Sequence, residues 1–347
     1  MMTHWSVQPL RRETAPALWM IVVLAVSATV ACGAAANRSR PAPPTTAAAG
    51  PSSTARPAPP APPAQPPQPL RPQGDPAGGP WTVLASSVGE PVVWGLSNSL
   101  VPDHPNVVAS FAVFDPTRLR AALFNGTELP GGGPWTNGSK VTPALVPSLV
   151  AAFNGGFKFK DMQGGYFTEG RVVKPLLVGD ATLAVSTTGR LTIGVYGTDL
   201  TNDGSWVSLR QNLPLVVDGG KEVVSIARER GNAHVYWGDN FGRVVLDLRS
   251  ALCIRTDGLM MYAVVGSVDI NGLASVLVGA HCNRAMELDI NGRWPQFLTF
   301  DQPGRPSRTP IALDSRMAHL DRYLTVGSSK DFIAVFDPSV LPTDVVR

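Results

Sequence analysis

The sequence is poor in the signatures that announce a common chemistry. It holds no Gly-x-Ser-x-Gly elbow, no zinc-binding pair of histidines, no P-loop and no Rossmann glycine fingerprint. His104, His234, His281 and His319 are scattered along the chain and read as structural or solvent-facing. Charge of one sign is not concentrated either. The formal net charge is +3, and no basic stripe interleaved with aromatics marks a nucleic-acid surface, so nucleic acid is not an expected partner. Cysteine is scarce, with three in 347 residues. Helical periodicity is sparse, and the longest strongly apolar run stops short of the about 20 residues that a membrane span needs.

That short run is the clearest positive signal. Arg11 and Arg12 precede an uncharged stretch over residues 14–36 whose apolar heart is residues 17–30. This suits the apolar region of a signal peptide, with the positive end kept cytoplasmic and the rest sent outward. Thr29-Val-Ala-Cys32 resembles a lipoprotein processing site with Cys32 as the lipidated residue, although Thr29 stands where Leu is usual. An uncleaved anchor and simple secretion stay open beside it. Residues 1–36 are therefore expected to be a leader or membrane anchor, and the mature chain to be extracytoplasmic, membrane-attached or secreted. Residues 37–80 are Pro, Ala, Thr, Ser and Gln with almost nothing apolar to bury. They are expected to be a disordered, extended spacer that lifts the next segment off a membrane. In an oxidising compartment Cys253 and Cys282 form an even pair. A disulfide between them and two separate buried thiols are both open readings.

Residues 81–347 read as one α+β domain of mixed β-sheet with a few flanking helices. Short β-type runs alternate with Gly, Asp and Asn turns. The runs at 181–186 and 191–196 form a hairpin candidate, and those at 244–249 and 259–265 flank the turn Thr256-Asp-Gly258. Helices are expected at 143–152, with Pro in the first turn, and at 272–280, with Asn271 as cap. Within Arg284-Ala-Met-Glu-Leu-Asp-Ile-Asn-Gly292, strand alternation puts Glu287 and Asp289 on one face. Two neighbouring carboxylates can work as acid and base, can hold a hard cation such as Ca²⁺, or can be the acidic solvent face of an edge strand. No cofactor is otherwise expected. Phe153-Asn-Gly-Gly-Phe157 permits close backbone approach to a ligand, and equally an ordinary tight turn. Arg249, at a strand end, is an anion partner or a surface ion pair.

Taken in order, Phe153-Asn-Gly-Gly-Phe157, Gly164-Gly-Tyr166, Gln211-Asn-Leu-Pro-Leu-Val-Val-Asp-Gly219, Arg249-Ser250 and Ala285-Met-Glu-Leu-Asp289 resemble the phosphodiester glycosidase family. The resemblance covers residues 107–336, and the 322–335 region resembles its actinobacterial branch. It implies an α+β fold and hydrolysis of a sugar-1-phosphate diester in a cell-wall or surface glycan, that glycan being the expected partner. It also implies Asp289 as a catalytic carboxylate, to which the acidic-strand reading adds Glu287, and Arg249 as the phosphate partner. Asn154, Gly155, Gly156, Gln211, Asn212, Asp218 and Asn291 are the implied substrate-binding positions. The chain departs from the family after Asp289, where Ile-Asn-Gly-Arg-Trp replaces a Gly-Gly-Gly-Ser loop. Glu287, Asn291 or Trp294 would then substitute for it, or the module binds wall glycan or a partner without catalysis.

Overall fold

The computed structural model describes residues 71–72, 80–101, 103–225, 237, 246–300 and 309–342. Every described residue belongs to the unit Gln65–Arg347. The expected leader, Cys32 and all but three residues of the expected spacer lie outside the described residues. Among the described residues, no helix is long and apolar enough to cross a membrane.

The domain is built from three sheets, with strands numbered in chain order. The largest runs β1 (Thr82–Ser87), β2 (Glu90–Val101), β3 (His104–Phe114), β14 (Met260–Val268), β13 (Asp247–Arg255), β15 (Cys282–Ile290), β11 (Val217–Asp218), β12 (Lys221–Glu222). A second runs β7 (Arg171–Lys174), β6 (Tyr166–Thr168), β10 (Trp206–Gln211), β8 (Ala181–Ser186), β9 (Leu191–Val195). The third runs β17 (Pro310–Ala312), β16 (Phe297–Phe300), β5 (Leu149–Asn154), β18 (Phe332–Phe336), β4 (Arg120–Phe124). The α+β class holds. Every named pair is antiparallel rather than mixed. Tight turns allow this, whereas parallel neighbours need long crossovers. Val88 and Gly89 both take positive φ between β1 and β2, the geometry a two-residue hairpin turn requires. The two hairpins expected from sequence are β8–β9 and β13–β14.

The helix α1 (Ile270–Gly279) buries Ile270, Leu273, Ala274, Val276 and Leu277. Its cap is Asp269 rather than Asn271: the Asp269 carboxylate accepts from the Gly272 N–H at 2.7 Å. The other expected helix, over 143–152, does not form. A short 3₁₀ turn at Val146–Ser148 leads straight into β5. Pro147 offers no N–H to a helix interior. The following Leu-Val-Ala-Ala-Phe run is buried on all sides, which suits a central strand covered on both faces.

All three sheets contribute to one shared core. Phe153 of β5 stacks on Phe297 of β16 with ring centroids 5.8 Å apart, and Tyr262 of β14 meets Phe297 at 5.1 Å. These rings pack the third sheet onto the first. Cys253 and Cys282 are joined by a disulfide that ties β13 to β15, with Cα atoms 5.8 Å apart.

The β13–β15 ladder is irregular where it matters. Arg249 pairs with Ile290 but Ala251 with Glu287, so β15 carries one residue more than its partner, which is a bulge. The Ser250 hydroxyl fills the gap, accepting from the Asp289 N–H at 3.1 Å and donating to the Asp289 carbonyl at 3.0 Å.

Candidate functional site

A cavity of about 400 Å³ opens at the end of β15. Three aspartates (Asp161, Asp247, Asp289), three lysines (Lys158, Lys160, Lys330), Asn291 and Trp294 line it. The donors come from four separate places in the chain. Lys158, Lys160 and Asp161 sit in the loop after β5, where the Asp161 N–H closes a turn on the Lys158 carbonyl at 2.9 Å. Asp247 begins β13, Asp289 and Asn291 lie at the end of β15, and Lys330 precedes β18.

Asp289 is 3% exposed and forms an ion pair with the buried Lys330 ammonium. Burial pushes the Lys330 pKa down to about 7; the Asp331 carboxylate opposes that fall, and Arg210 and Lys158 reinforce it. Contact with Asp289 favours the charged amine. The Lys330 Nζ also lies 4.7 Å from the centroid of the Trp294 ring, and Lys158 lies 5.2 Å from it. The cavity therefore offers a buried carboxylate, an ammonium poised near neutrality and an aromatic wall.

Asn291 has φ of +74°, a left-handed conformation that Asn tolerates better than most residues with a side chain. Its Oδ1 accepts from the Arg293 N–H at 3.0 Å. Asn291 thus turns the chain so that Trp294 reaches the cavity wall, and Ile290 packs into the core. This is what the Ile-Asn-Gly-Arg-Trp sequence builds in place of a glycine loop.

Glu287 and Asp289 do not act as a neighbouring pair, because the bulge sends them to different partners. Glu287 is 1% exposed and accepts from Arg249 at 2.6 Å. The Arg249 guanidinium also donates to the Val268 carbonyl at 3.0 Å and the Trp237 carbonyl at 2.6 Å. Neither residue lines the cavity. The edge-strand reading of this acidic stretch fails as well, since β15 is an inner strand and its last six residues are buried.

The other residues expected at the site mostly build its frame. Asn154 Nδ2 donates to the Gly155 carbonyl at 2.9 Å and to Ser250 Oγ at 3.2 Å. Its Oδ1 accepts from the Tyr262 hydroxyl at 2.9 Å and the Gln296 N–H at 3.0 Å. Gly155 and Gly156 are required for close approach, but to the protein itself. A Cβ at Gly155 would collide with the Asp331 carboxylate, and one at Gly156 would lie 2.8 Å from Asn212 Oδ1. That carboxylate is held by Arg210, at 2.8 Å and 3.2 Å, in a buried ion pair. Gln211 Oε1 accepts from the Gly165 and Leu177 N–H groups at 2.8 and 2.7 Å. Asn212 accepts from the Phe157 N–H at 3.0 Å and donates to the Glu287 carbonyl at 2.6 Å. Asp218, half-buried on β11, pairs with Arg284 of β15 at 3.0 Å, away from the cavity.

Of the expected substrate and catalytic residues, Asp289 and Asn291 line the cavity, joined by Trp294. Lys158, Lys160, Asp161, Asp247 and Lys330 were not singled out from sequence. A signal existed only for Lys330: with Asp331 it forms a charged pair directly before the buried run of β18. Among the described residues, no three His, Cys, Asp or Glu side chains stand close enough to hold a metal ion.

The phosphodiester glycosidase family model matches residues 147–289. The phosphodiester glycosidase resemblance read from the motif order therefore holds, without reaching the actinobacterial branch. The matched segment opens just before β5 and ends on Asp289. No curated protein matches the chain. Among solved structures, the catalytic domain of zebrafish N-acetylglucosamine-1-phosphodiester alpha-N-acetylglucosaminidase is similar at 15% identity and a TM-score of 0.46, covering 74% of this chain and 87% of that one. A hypothetical protein from Synechocystis is similar at 11% identity and a TM-score of 0.39, covering 67% and 59%. A protein described as exported, from Burkholderia pseudomallei K96243, is similar at 12% identity and a TM-score of 0.37, covering 70% and 76%.

Proposed function

We propose that the domain is an extracytoplasmic hydrolase that cleaves a sugar-1-phosphate diester in a surface or wall glycan, releasing free sugar and a phosphomonoester. One observation carries the reading. Asp289, the last residue of the phosphodiester glycosidase match, is a buried carboxylate in the cavity wall and is held by Lys330 next to Trp294.

In this reading the sugar ring stacks on the indole, and the phosphate meets Lys158 and Lys160. The oxygen of a water bonds to the anomeric carbon as the bond from that carbon to the bridging oxygen breaks. The electron pair leaves on the phosphate, and the proton of the water passes to the Asp289 carboxylate. Attack by Asp289 itself would reach the same products in two steps. The lysine ammonium groups stabilise the charge gathered on the leaving phosphate. Arg249 and Glu287 act as positioning residues: their buried pair keeps the bulged β13–β15 ladder in place. Removing one partner of such a pair costs about 3–5 kcal/mol.

The test follows free sugar by mass spectrometry after the purified chain meets N-acetylglucosamine-1-phosphodiesters and wall glycan. Release is expected, and Asp289→Asn should lower it by at least about a hundredfold. Full activity in that variant would remove Asp289 from the chemistry. The replaced glycine loop favours a second reading, a non-catalytic glycan-binding module of the same fold. Tight binding of wall fragments by the unaltered protein with no sugar release would select it.

A further inference from the structure

A second cavity, of about 300 Å³, adjoins the first. Trp294 lines both, and the two meet again along the chain, where Ser329 faces the second and Lys330 the first. The second cavity carries the guanidinium groups of Arg293 and Arg322 against a single lining carboxylate, Asp321, with His319 beside them. Arg322 belongs to a π-helical turn at Arg322–Val326, and its Nη2 donates to the Arg293 carbonyl at 3.0 Å. That bond ties the turn to the segment that carries Trp294.

The indole is ringed by cations from both sides. Lys158 and Lys330 approach from the first cavity, at 5.2 and 4.7 Å from the ring centroid. Arg293 and Arg322 approach from the second, at 5.7 and 5.5 Å. Forked guanidinium donors match the geometry of phosphate oxygens. A single phosphodiester needs only the first set of cations. An aromatic partition with cations on both sides fits a chain in which sugar and phosphate alternate.

We propose that the cavity of Arg293 and Arg322 is a subsite for a second phosphate-bearing unit, so that the substrate class is an anionic sugar-phosphate oligomer or polymer. The inference rests on the hydrolase reading of the first cavity. One unit stacks on Trp294 with its scissile phosphate at Lys158 and Lys160. The next phosphate along the chain pairs with Arg322 and Arg293.

The test uses the full chain in detergent and titration calorimetry with two phosphonate analogues in which carbon replaces the anomeric bridging oxygen, so that neither can be hydrolysed. One analogue carries one sugar-phosphonate unit and the other carries two. The two-unit analogue is expected to bind about tenfold more tightly, equivalent to about 1.4 kcal/mol. Arg322→Gln and the exposed Arg293→Gln should each erase most of that gain, so that the two analogues bind the variant nearly alike. Melting temperatures near that of the unaltered protein would show that both variants fold. Equal binding of the two analogues, or a parallel loss for both in the Arg variants, overturns the second subsite while leaving the first cavity intact. Failure of both analogues to bind overturns the hydrolase reading and this inference together.

Discussion

Lys330 shows how much a single side chain can hide. In sequence it is one of many dispersed basic residues, but in the fold it is buried against Asp289 with its pKa pushed down to about 7. An unfolded lysine titrates near 10.4. Between these values the unfolded chain binds more protons than the folded one, so stability gains from Lys330 as pH rises through that window. Below about pH 7 both states are protonated and the cost of burying the ammonium is fully present. The stability difference between the unaltered protein and Lys330→Met, measured by urea unfolding, should therefore move in favour of the unaltered protein from pH 7 to 10. The slope should be at most about 1.4 kcal/mol per pH unit. A flat difference would show that the amine keeps its ordinary titration. Gly155 teaches the companion lesson. Its need for a missing Cβ is legible in the Asn-Gly-Gly motif, but the group that approaches is the protein's own Asp331.

At the level of elements, alternation and turn residues located the β8–β9 hairpin and the turn at 256–258, where local backbone preference and cross-strand pairing agree, but β13 runs Asp247–Arg255, well past the expected 244–249. They failed at 143–152, where an apolar run reads equally as a buried helix or a buried strand and only the neighbours β16 and β18 decide. They failed again at β15. Period-two alternation put Glu287 and Asp289 together, and the bulge opposite Ser250, which depends on a different strand, separated them. The disulfide belongs to this scale too. It closes a loop between positions 29 residues apart, for which chain entropy gives about 3–4 kcal/mol. Replacing both Cys253 and Cys282 by alanine should lower unfolding stability by about that amount in urea titrations. A variant as stable as the parent would show that β-sheet packing alone holds β13 to β15.

For the whole molecule, export is a proposal that the leader and the Pro-rich segment motivate, and the Cys253–Cys282 disulfide is compatible with an oxidising compartment. If Cys32 is lipidated, cells grown with labelled palmitate should mark the parent chain, and Cys32→Ser should lose both the label and the membrane fraction. Equal labelling in the two would redirect the assignment to another anchor. The cavity is itself a whole-molecule property, since its residues come from the loop after β5, the start of β13, the end of β15 and the approach to β18.

The sequence by itself determined the α+β class, the tight turns, the cysteine pair as one of two readings, and Asp289 as a candidate site residue. Each of these rests on residue types and short spacings that act within one or two elements. Only the tertiary structure decided that Arg249 and Glu287 neutralise each other in the core, that Asn154, Gln211 and Asn212 brace the frame, and that three lysines line the cavity of Asp289. A side chain's partner is set by which strands meet across three sheets. Burial then forces every charge taken from water to find an opposite charge or a hydrogen bond, and that demand is settled between segments far apart in the chain.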